Sequence, residues 1–313
     1  MYNNNRDKTF KNTAGGTVLK KTLLVTGGSG FIGKNITERL SKKYDIIAPR
    51  RAQLDLTCQQ SVDGFFASNK IDAVIHCAIK PGHRAARDLS GLLDADLRMY
   101  YNLRRNTEER GMRMFTLGSG SCYDLRNYAP KMREEDMGRS IPADETGFAK
   151  YITALDALGS NGIYDLRVFG IYGKYEDFTI RFISNAVCKA LLGMPITLRQ
   201  NRVFDYIFID DFVDLLDGMM DKELKRHAYN VTPDEPVSLL RLAEIVREIT
   251  GADVPINVAS EGMGLEYTGD NGRLRKEFPD FKFTPYEDGI RMLCDYYRGN
   301  MHLLDRETLK VDK

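Results

Sequence analysis

Apolar residues follow two alternating rhythms in the first half of the chain. Short apolar runs at residues 22–26, 44–48, 73–78, 112–118 and 164–169 predict strands covered on both faces. Between them apolar positions recur at helical spacing, as at Phe31, Ile32, Ile36 and Leu40, or Val62, Phe65 and Phe66. Helices are predicted over 31–40, 61–69, 89–109 and 146–158. Strands alternating with helices at these intervals predict an α/β architecture, a doubly wound parallel sheet with right-handed crossovers.

After about residue 175 the rhythm changes. Helices are predicted over 178–192, 211–220 and 237–250, with one strand over 202–209, and 283–297 ends the folded region. This reads as a smaller mixed lobe capping the strand ends. The expected organisation is a flexible polar arm over 1–18, a nucleotide-binding domain over 19–175, and a substrate-binding lobe over 176–313 interleaved with the first domain.

Composition narrows the function classes. With 45 Lys and Arg against 44 Asp and Glu, the net charge of +1 argues against a general attraction to nucleic acid or anionic lipid. The five cysteines, Cys58, Cys77, Cys122, Cys188 and Cys294, form no CxxC pair, so neither a metal site nor a disulfide framework is expected. The N-terminal stretch lacks the apolar core of a secretory signal, and no apolar run matches a membrane span. A soluble cytoplasmic protein is expected.

The strongest chemical signal is TGGSGFIG at 26–33, set between a predicted strand and a predicted helix. Gly27 and Gly30 permit positive φ and close backbone approach to a pyrophosphate, and Gly33 permits tight helix–sheet packing. The helix opening at Phe31 and Ile32 would aim N–H donors at the phosphates. This is a Rossmann dinucleotide-binding pattern. The second predicted strand ends in Ala48-Pro49-Arg50-Arg51, without the acid that commonly takes the ribose hydroxyls. Arg50 and Arg51 suit a 2′-phosphate, which favours NADP over NAD, with NAD still possible. Asp55 and Leu56 are placed to border the adenine, and Ala78 ends the third strand beside the cofactor.

The ordered series TGGSGFIG, LDLT (54–57), DAVIHCA (72–78), FTLGSGSCYD (115–124), Lys150, LRVFGIYG (166–173) and FDYIFIDDFV (204–213) resembles an extended short-chain dehydrogenase/reductase of the NAD-dependent epimerase/dehydratase type. The resemblance spans nearly all of 21–297. FFASNKIDAVIHCA and MFTLGSGSCY resemble GDP-fucose synthase-like reductases in particular. The resemblance implies a nucleoside-diphosphate sugar substrate, hydride exchange with a nicotinamide, and a homodimer built on the helices near 89–109 and 147–159.

It also implies a Ser, Tyr and Lys at the reaction centre, with the phenol as acid/base. Ser119 and Lys150 match two of them, and Lys150 would also contact the cofactor. Thr146 stands in the tyrosine's place, four residues before Lys150. A threonine hydroxyl is far less acidic than a phenol. Three readings stay open. Nucleotide-sugar redox chemistry persists with Lys150, Tyr123, Tyr175 or another acid assisting; the chain binds dinucleotide as a catalytically weak or regulatory protein; or Thr146 is an introduced substitution for a parental Tyr. Tyr175 occupies the position of a His in the fucose-synthase-like reductases.

His83, in the loop after the third strand, and Ser121 and Tyr123, beside Ser119, are candidate substrate contacts. Arg202 is a candidate for the diphosphate, although Phe204 holds the place of the usual arginine. Arg273 is a candidate for the nucleotide. His76, on a buried strand, reads as a packed core residue. Arg167 reads as a loop-orienting group or an ordinary ion pair.

Overall fold

The structure is a computed structural model that describes residues 20–82, 86 and 88–310. The expected arm over 1–18 and the candidate His83 lie outside the described residues.

In chain order the elements are β1 (Thr22–Thr26), α1 (Phe31–Leu40), β2 (Asp45–Ile47), α2 (Gln59–Ser68), β3 (Ala73–His76), α3 (Leu92–Glu109), β4 (Arg113–Ser119), α4 (Glu145–Leu158), β5 (Ile163–Val168) and β6 (Gly170–Tyr172). There follow α5 (Phe182–Leu191), β7 (Ile196–Asn201), β8 (Val203–Phe204), β9 (Tyr206–Phe208), α6 (Ile209–Met220), β10 (Ala228–Val231), β11 (Val237–Ser238) and α7 (Leu239–Thr250). The last elements are β12 (Ile256–Met263), α8 (Gly272–Glu277), α9 (Tyr286–Arg298) and α10 (Arg306–Leu309).

Six strands form one parallel sheet in the order β10-β5-β4-β3-β1-β2. Its apolar residues supply a core on each face. Leu23, Val25, Ile75 and Phe115 belong to one cluster, and Leu24, Val74 and Met114 to the other, as period-2 alternation requires. Chain order reverses about β1, between β2 and β3. That switch point opens a crevice at the carboxyl ends of the strands, where ligands bind in such sheets.

Three sequence expectations change. The sixth strand, β10, comes from the second half and lies beside β5, so the second half contributes to the sheet. The predicted helix over 89–109 begins only at Leu92, because Gly91 takes φ 59° and Asp88 holds the Ser90 amide at 2.9 Å. The predicted strand over 202–209 is broken at Asp205 into β8 and β9. The buried Asp205 carboxylate accepts the Gly269 amide at 2.8 Å, and burial pushes its pKa up to about 7. The break ties this segment to the loop before α8.

The neighbouring Asp210 and Asp211 serve packing. Asp210 pairs with Arg39 of α1 at 2.9 Å. Asp211 accepts both the amide and the hydroxyl of Thr284 at 2.7 Å, joining α6 to the segment before α9. It does not cap α6, which starts without a side-chain cap.

Candidate active site

Of the two turn glycines, Gly27 takes a positive φ, whereas Gly30 has an extended φ of −79° that any residue could adopt. Gly27 has φ 66°, and a Cβ there would meet the Ala78 amide nitrogen at 2.8 Å. Only glycine lets β1 turn this close to the end of β3. The Gly30 amide closes the turn onto the Gly27 carbonyl at 2.9 Å, and the Lys34 amide returns to Gly30 at 2.9 Å to start α1. A Cβ on Gly33 would strike the Gly27 carbonyl, which explains the third glycine.

Beside this turn lies a cavity of about 1240 Å³. Gly27 and Ser29 form one end; Arg50, Arg51, Asp55 and Leu56 form another wall; Ala78 and Lys80 form the floor toward β3. Asp55 is fixed by the Thr57 hydroxyl at 2.7 Å and the Thr57 amide at 3.0 Å, which lower its pKa. Arg51 stands 4.0 Å from Asp55 and is exposed. Arg50 is exposed and makes no ion pair among the described residues. Phe31 and Ile32 do not line the cavity. Their side chains pack on the core, so only backbone groups at the start of α1 face the turn.

Beneath the crevice a polar row crosses the sheet in register: Thr26 beside His76, His76 beside Thr116, and Thr116 beside Asp165. All four are buried. Thr26 Oγ1 and His76 Nδ1 lie 2.8 Å apart. Burial, reinforced by the Lys150 charge, holds the His76 pKa down to about 3, so the imidazole is neutral. Such a histidine is a packed partner, as its burial suggested.

A small second cavity, sharing Ala78 and Ile79 with the first, is lined by His76, Asp96, Thr116, Lys150 and Thr153. Lys150 Nζ donates to the Leu117 carbonyl of β4 at 2.6 Å. Burial lowers its pKa, opposed by the Asp96 and Asp165 carboxylates. Lys150 is thus set from α4 against the end of β4, alongside the large cavity.

Thr146 sits in the first turn of α4, whose N-cap Asp144 accepts the Gly147 amide at 2.8 Å. Its hydroxyl lies under the loop after β3, where a Cβ on Gly82 would meet it at 2.8 Å. Glu145 reaches across to accept the Leu93 amide at 3.1 Å, docking α4 on the start of α3. Ser119 ends β4 and accepts the Ser121 amide at 3.2 Å.

Other candidates are placed elsewhere. Tyr123 is buried; its hydroxyl accepts from Arg167 Nη1 at 2.7 Å and donates to Asn230 Oδ1 at 2.6 Å. It is an interior strut and not a substrate contact. Arg167 pairs with Asp165 at 2.7 Å, fully buried. The Ser121 Oγ is shielded and makes no hydrogen bond among the described residues. Tyr175 donates to Glu38 of α1 at 3.1 Å and lies under Lys34 Nζ, 3.7 Å from its ring centroid, which turns it toward α1. Arg273 is engaged by Glu135 and lies 3.6 Å from Glu134. Its charge is answered within the protein, against a direct role on the nucleotide. Arg202 lies on the β7–β8 connection, where a Cβ on Gly264 would meet its Nε at 2.7 Å.

Sequence reading missed Ser29, Thr57, Lys80 and Asp96, which line the two cavities. Ser29 lies inside the glycine turn and was detectable there. Asp96 reaches the site only through folding and has no local motif.

The fold and the cavity together define a dinucleotide-binding α/β protein of the short-chain dehydrogenase/reductase class. The NAD dependent epimerase/dehydratase family model matches residues 23–232, and the chain belongs to that family. It is 22% identical over 311 residues to GDP-L-fucose synthase 1 of Arabidopsis thaliana, covering 89% of this chain and 94% of that protein. It is 25% identical over 318 residues to a dTDP-4-dehydro-6-deoxy-D-allose reductase of a Streptomyces species, covering 89% and 96%. Among solved structures, a GDP-L-fucose synthetase from Naegleria fowleri bound to NADP superposes with a TM-score of 0.80 at 15% identity, over 91% of this chain and 95% of that one. A GDP-mannoheptose C4 reductase from Campylobacter jejuni with NADP bound gives 0.76 at 21%, over 90% and 100%.

Proposed function

We propose that this chain is an NADPH-dependent reductase of a nucleoside-diphosphate keto sugar. The observation that carries the reading is the large cavity, which joins the Gly27 turn to Arg50 and Arg51 and adjoins the Lys150 pocket. The residues present fit the dinucleotide. Gly27 and Ser29 line the cavity at the start of α1, and Arg50, which lines it too, has no carboxylate partner among the described residues. Gly27, Ser29 and the α1 N-terminus would hold the pyrophosphate, Arg50 and Arg51 the 2′-phosphate, and Lys150 the nicotinamide end. Bound there in reduced form, the dinucleotide supplies a hydride to a carbonyl carbon. The named functions of the two reductases and the two fucose-synthase relatives support the keto sugar as substrate.

The roles of this chain's residues follow from their placement. Ser119 offers a hydroxyl to the carbonyl oxygen at the end of β4. Lys150 contributes positive charge from below, which favours the developing alkoxide. Thr146 can hydrogen-bond the sugar but is too weak an acid to exchange its proton. Incubation with NADPH and a panel of NDP-4-keto sugars tests the reading, with loss of reduced-nicotinamide absorbance and a reduced sugar by mass spectrometry as the expected outcome. A chain that binds NADPH and consumes none across the panel is instead the binding protein that Thr146 left open.

Cofactor choice has its own expected result. The double variant Arg50→Ala/Arg51→Ala should weaken NADPH about 10- to 100-fold, the loss of one or two charge-assisted contacts. NADH affinity should stay within about twofold, since it lacks the 2′-phosphate. Titration calorimetry with both cofactors checks this; equal losses would place the arginines elsewhere.

We also propose a homodimer through α3 and α4. Tyr101 on α3 and Leu155 and Leu158 on α4 are exposed, at 39%, 46% and 45%. Sedimentation at micromolar concentration should give twice the chain mass, and a single species at the monomer mass refutes it.

A further inference from the structure

We infer that Asp96, on α3, is a positioning residue for the reaction: across the small cavity its carboxylate keeps the Lys150 ammonium charged, so that the charge is in place when the alkoxide develops. This rests on the reductase reading above.

The small cavity has a volume of about 10 Å³. That is room for about one water, so the groups lining it face one another across a single solvent molecule at most. Two helices supply its side walls at helical spacing. Asp96 and Tyr100 stand four residues apart on α3, and Lys150 and Thr153 stand three apart on α4. His76 and Thr116 close it from β3 and β4. Asp96 is fixed in this place. Its Oδ1 accepts the Lys80 amide at 2.7 Å, which ties α3 to the loop that floors the large cavity. Asp96 itself makes no ion pair among the described residues.

Lys150 needs such a neighbour. Its Nζ donates to the neutral Leu117 carbonyl, which uses one of the three donors of an ammonium. An ammonium withdrawn from bulk water tends to lose its proton unless a carboxylate offsets the desolvation. The other titratable groups around it do not serve. Burial holds His76 neutral and pushes the Cys77 and Cys122 thiols up to about 12. The Tyr100 hydroxyl donates to Asp156 at 2.9 Å. Asp165 of β5 is paired with Arg167 at 2.7 Å, and the Lys80 ammonium, the other cation near Asp96, is paired with Asp88 at 2.7 Å. Burial lowers the Lys150 pKa, and the Asp96 charge opposes it ahead of Asp165. Burial likewise raises the Asp96 pKa, and the Lys80 amide and the Lys150 charge hold it down.

The test uses Asp96→Asn in the full chain, which keeps an oxygen for the Lys80 amide and removes only the charge. Reduction needs the ammonium, so kcat falls as pH rises through the Lys150 pKa. Without the carboxylate that pKa is lower, and the upper-pH limb of the profile moves to lower pH. We expect kcat above the limb to fall about tenfold or more against the parent. At the acid end kcat should stay within about twofold, as should the NADPH affinity. A superimposable profile, or an equal loss at every pH, overturns the inference and leaves the reductase reading intact. A parent that consumes no NADPH overturns the reductase reading instead, and the pairing is then decided without turnover. In the chain carrying 13Cε-labelled lysine, the resonance that disappears in Lys150→Met should titrate at lower pH in Asp96→Asn than in the parent. Reciprocally, with 13Cγ-labelled aspartate, the Asp96 carboxyl should titrate at higher pH in Lys150→Met. Unchanged midpoints overturn the inference.

Discussion

Replacing Gly27 with valine should reduce NADPH affinity by about 100-fold. The residue has φ 66°, a conformation that β-branched side chains avoid, and its Cβ would meet the Ala78 amide nitrogen at 2.8 Å and the Cys77 carbonyl carbon at 2.9 Å. None of these contacts is the end of a flexible side chain; the obstacle is the backbone at the end of β3. The turn must therefore shift, and with it the donors at the start of α1. Loss of one or two charge-assisted hydrogen bonds costs about 1.5–3 kcal/mol each, which sets the scale of the effect. Fluorescence titration of bound NADPH reads it, and a cooperative thermal transition shows that the sheet remains folded. Unchanged affinity would mean that the dinucleotide lies away from this turn.

The second large effect is on stability. Arg167 is fully buried, with its Nε 2.7 Å from Asp165 and its Nη1 donating to Tyr123 at 2.7 Å. Arg167→Met removes the guanidinium and leaves the Asp165 carboxylate without its ion-pair partner in the interior. Breaking a buried pair in this way costs about 3–5 kcal/mol. The double variant Arg167→Met/Asp165→Asn should cost clearly less than the single one, because no buried charge is left uncompensated. Urea unfolding of both variants checks the sign of this coupling. An Arg167→Met cost below about 1 kcal/mol would contradict the account of the strut.

These two sites differ in how plainly the sequence displayed them. Gly27, Gly30 and Gly33 were legible because a backbone that must turn and approach another backbone leaves its mark as glycine at fixed spacing. The five strands of the first half were legible because short, mainly apolar segments alternate with helical spacing, although polar residues such as His76, Asp165 and Arg167 sit within them. The late strand β10 was not: Ala228–Val231 is four residues long and carries Asn230, whose side chain is satisfied by Tyr123 and the Met132 carbonyl only in the folded state. The strand predicted over 202–209 failed at Asp205 because its carboxylate finds a partner, Gly269, that no local pattern could announce.

The proposed reaction centre was displayed in part. Ser119 and Lys150 stood out through their order and their spacing from Tyr123 and Thr146. The absence of a phenol at position 146 was equally visible. Folding turned Tyr123 inward to Arg167 and Asn230 and drew Tyr175 out to Glu38, so neither of these two candidate assisting acids lines the cavities.

The most direct test of the central claim is turnover by the purified chain. NADPH and NDP-4-keto sugars of several bases are incubated with it, and the sugar products are identified by mass spectrometry and NMR. The account predicts stoichiometric oxidation of NADPH with one keto sugar converted to its alcohol. Saturable NADPH binding with no sugar in the panel reduced would contradict it.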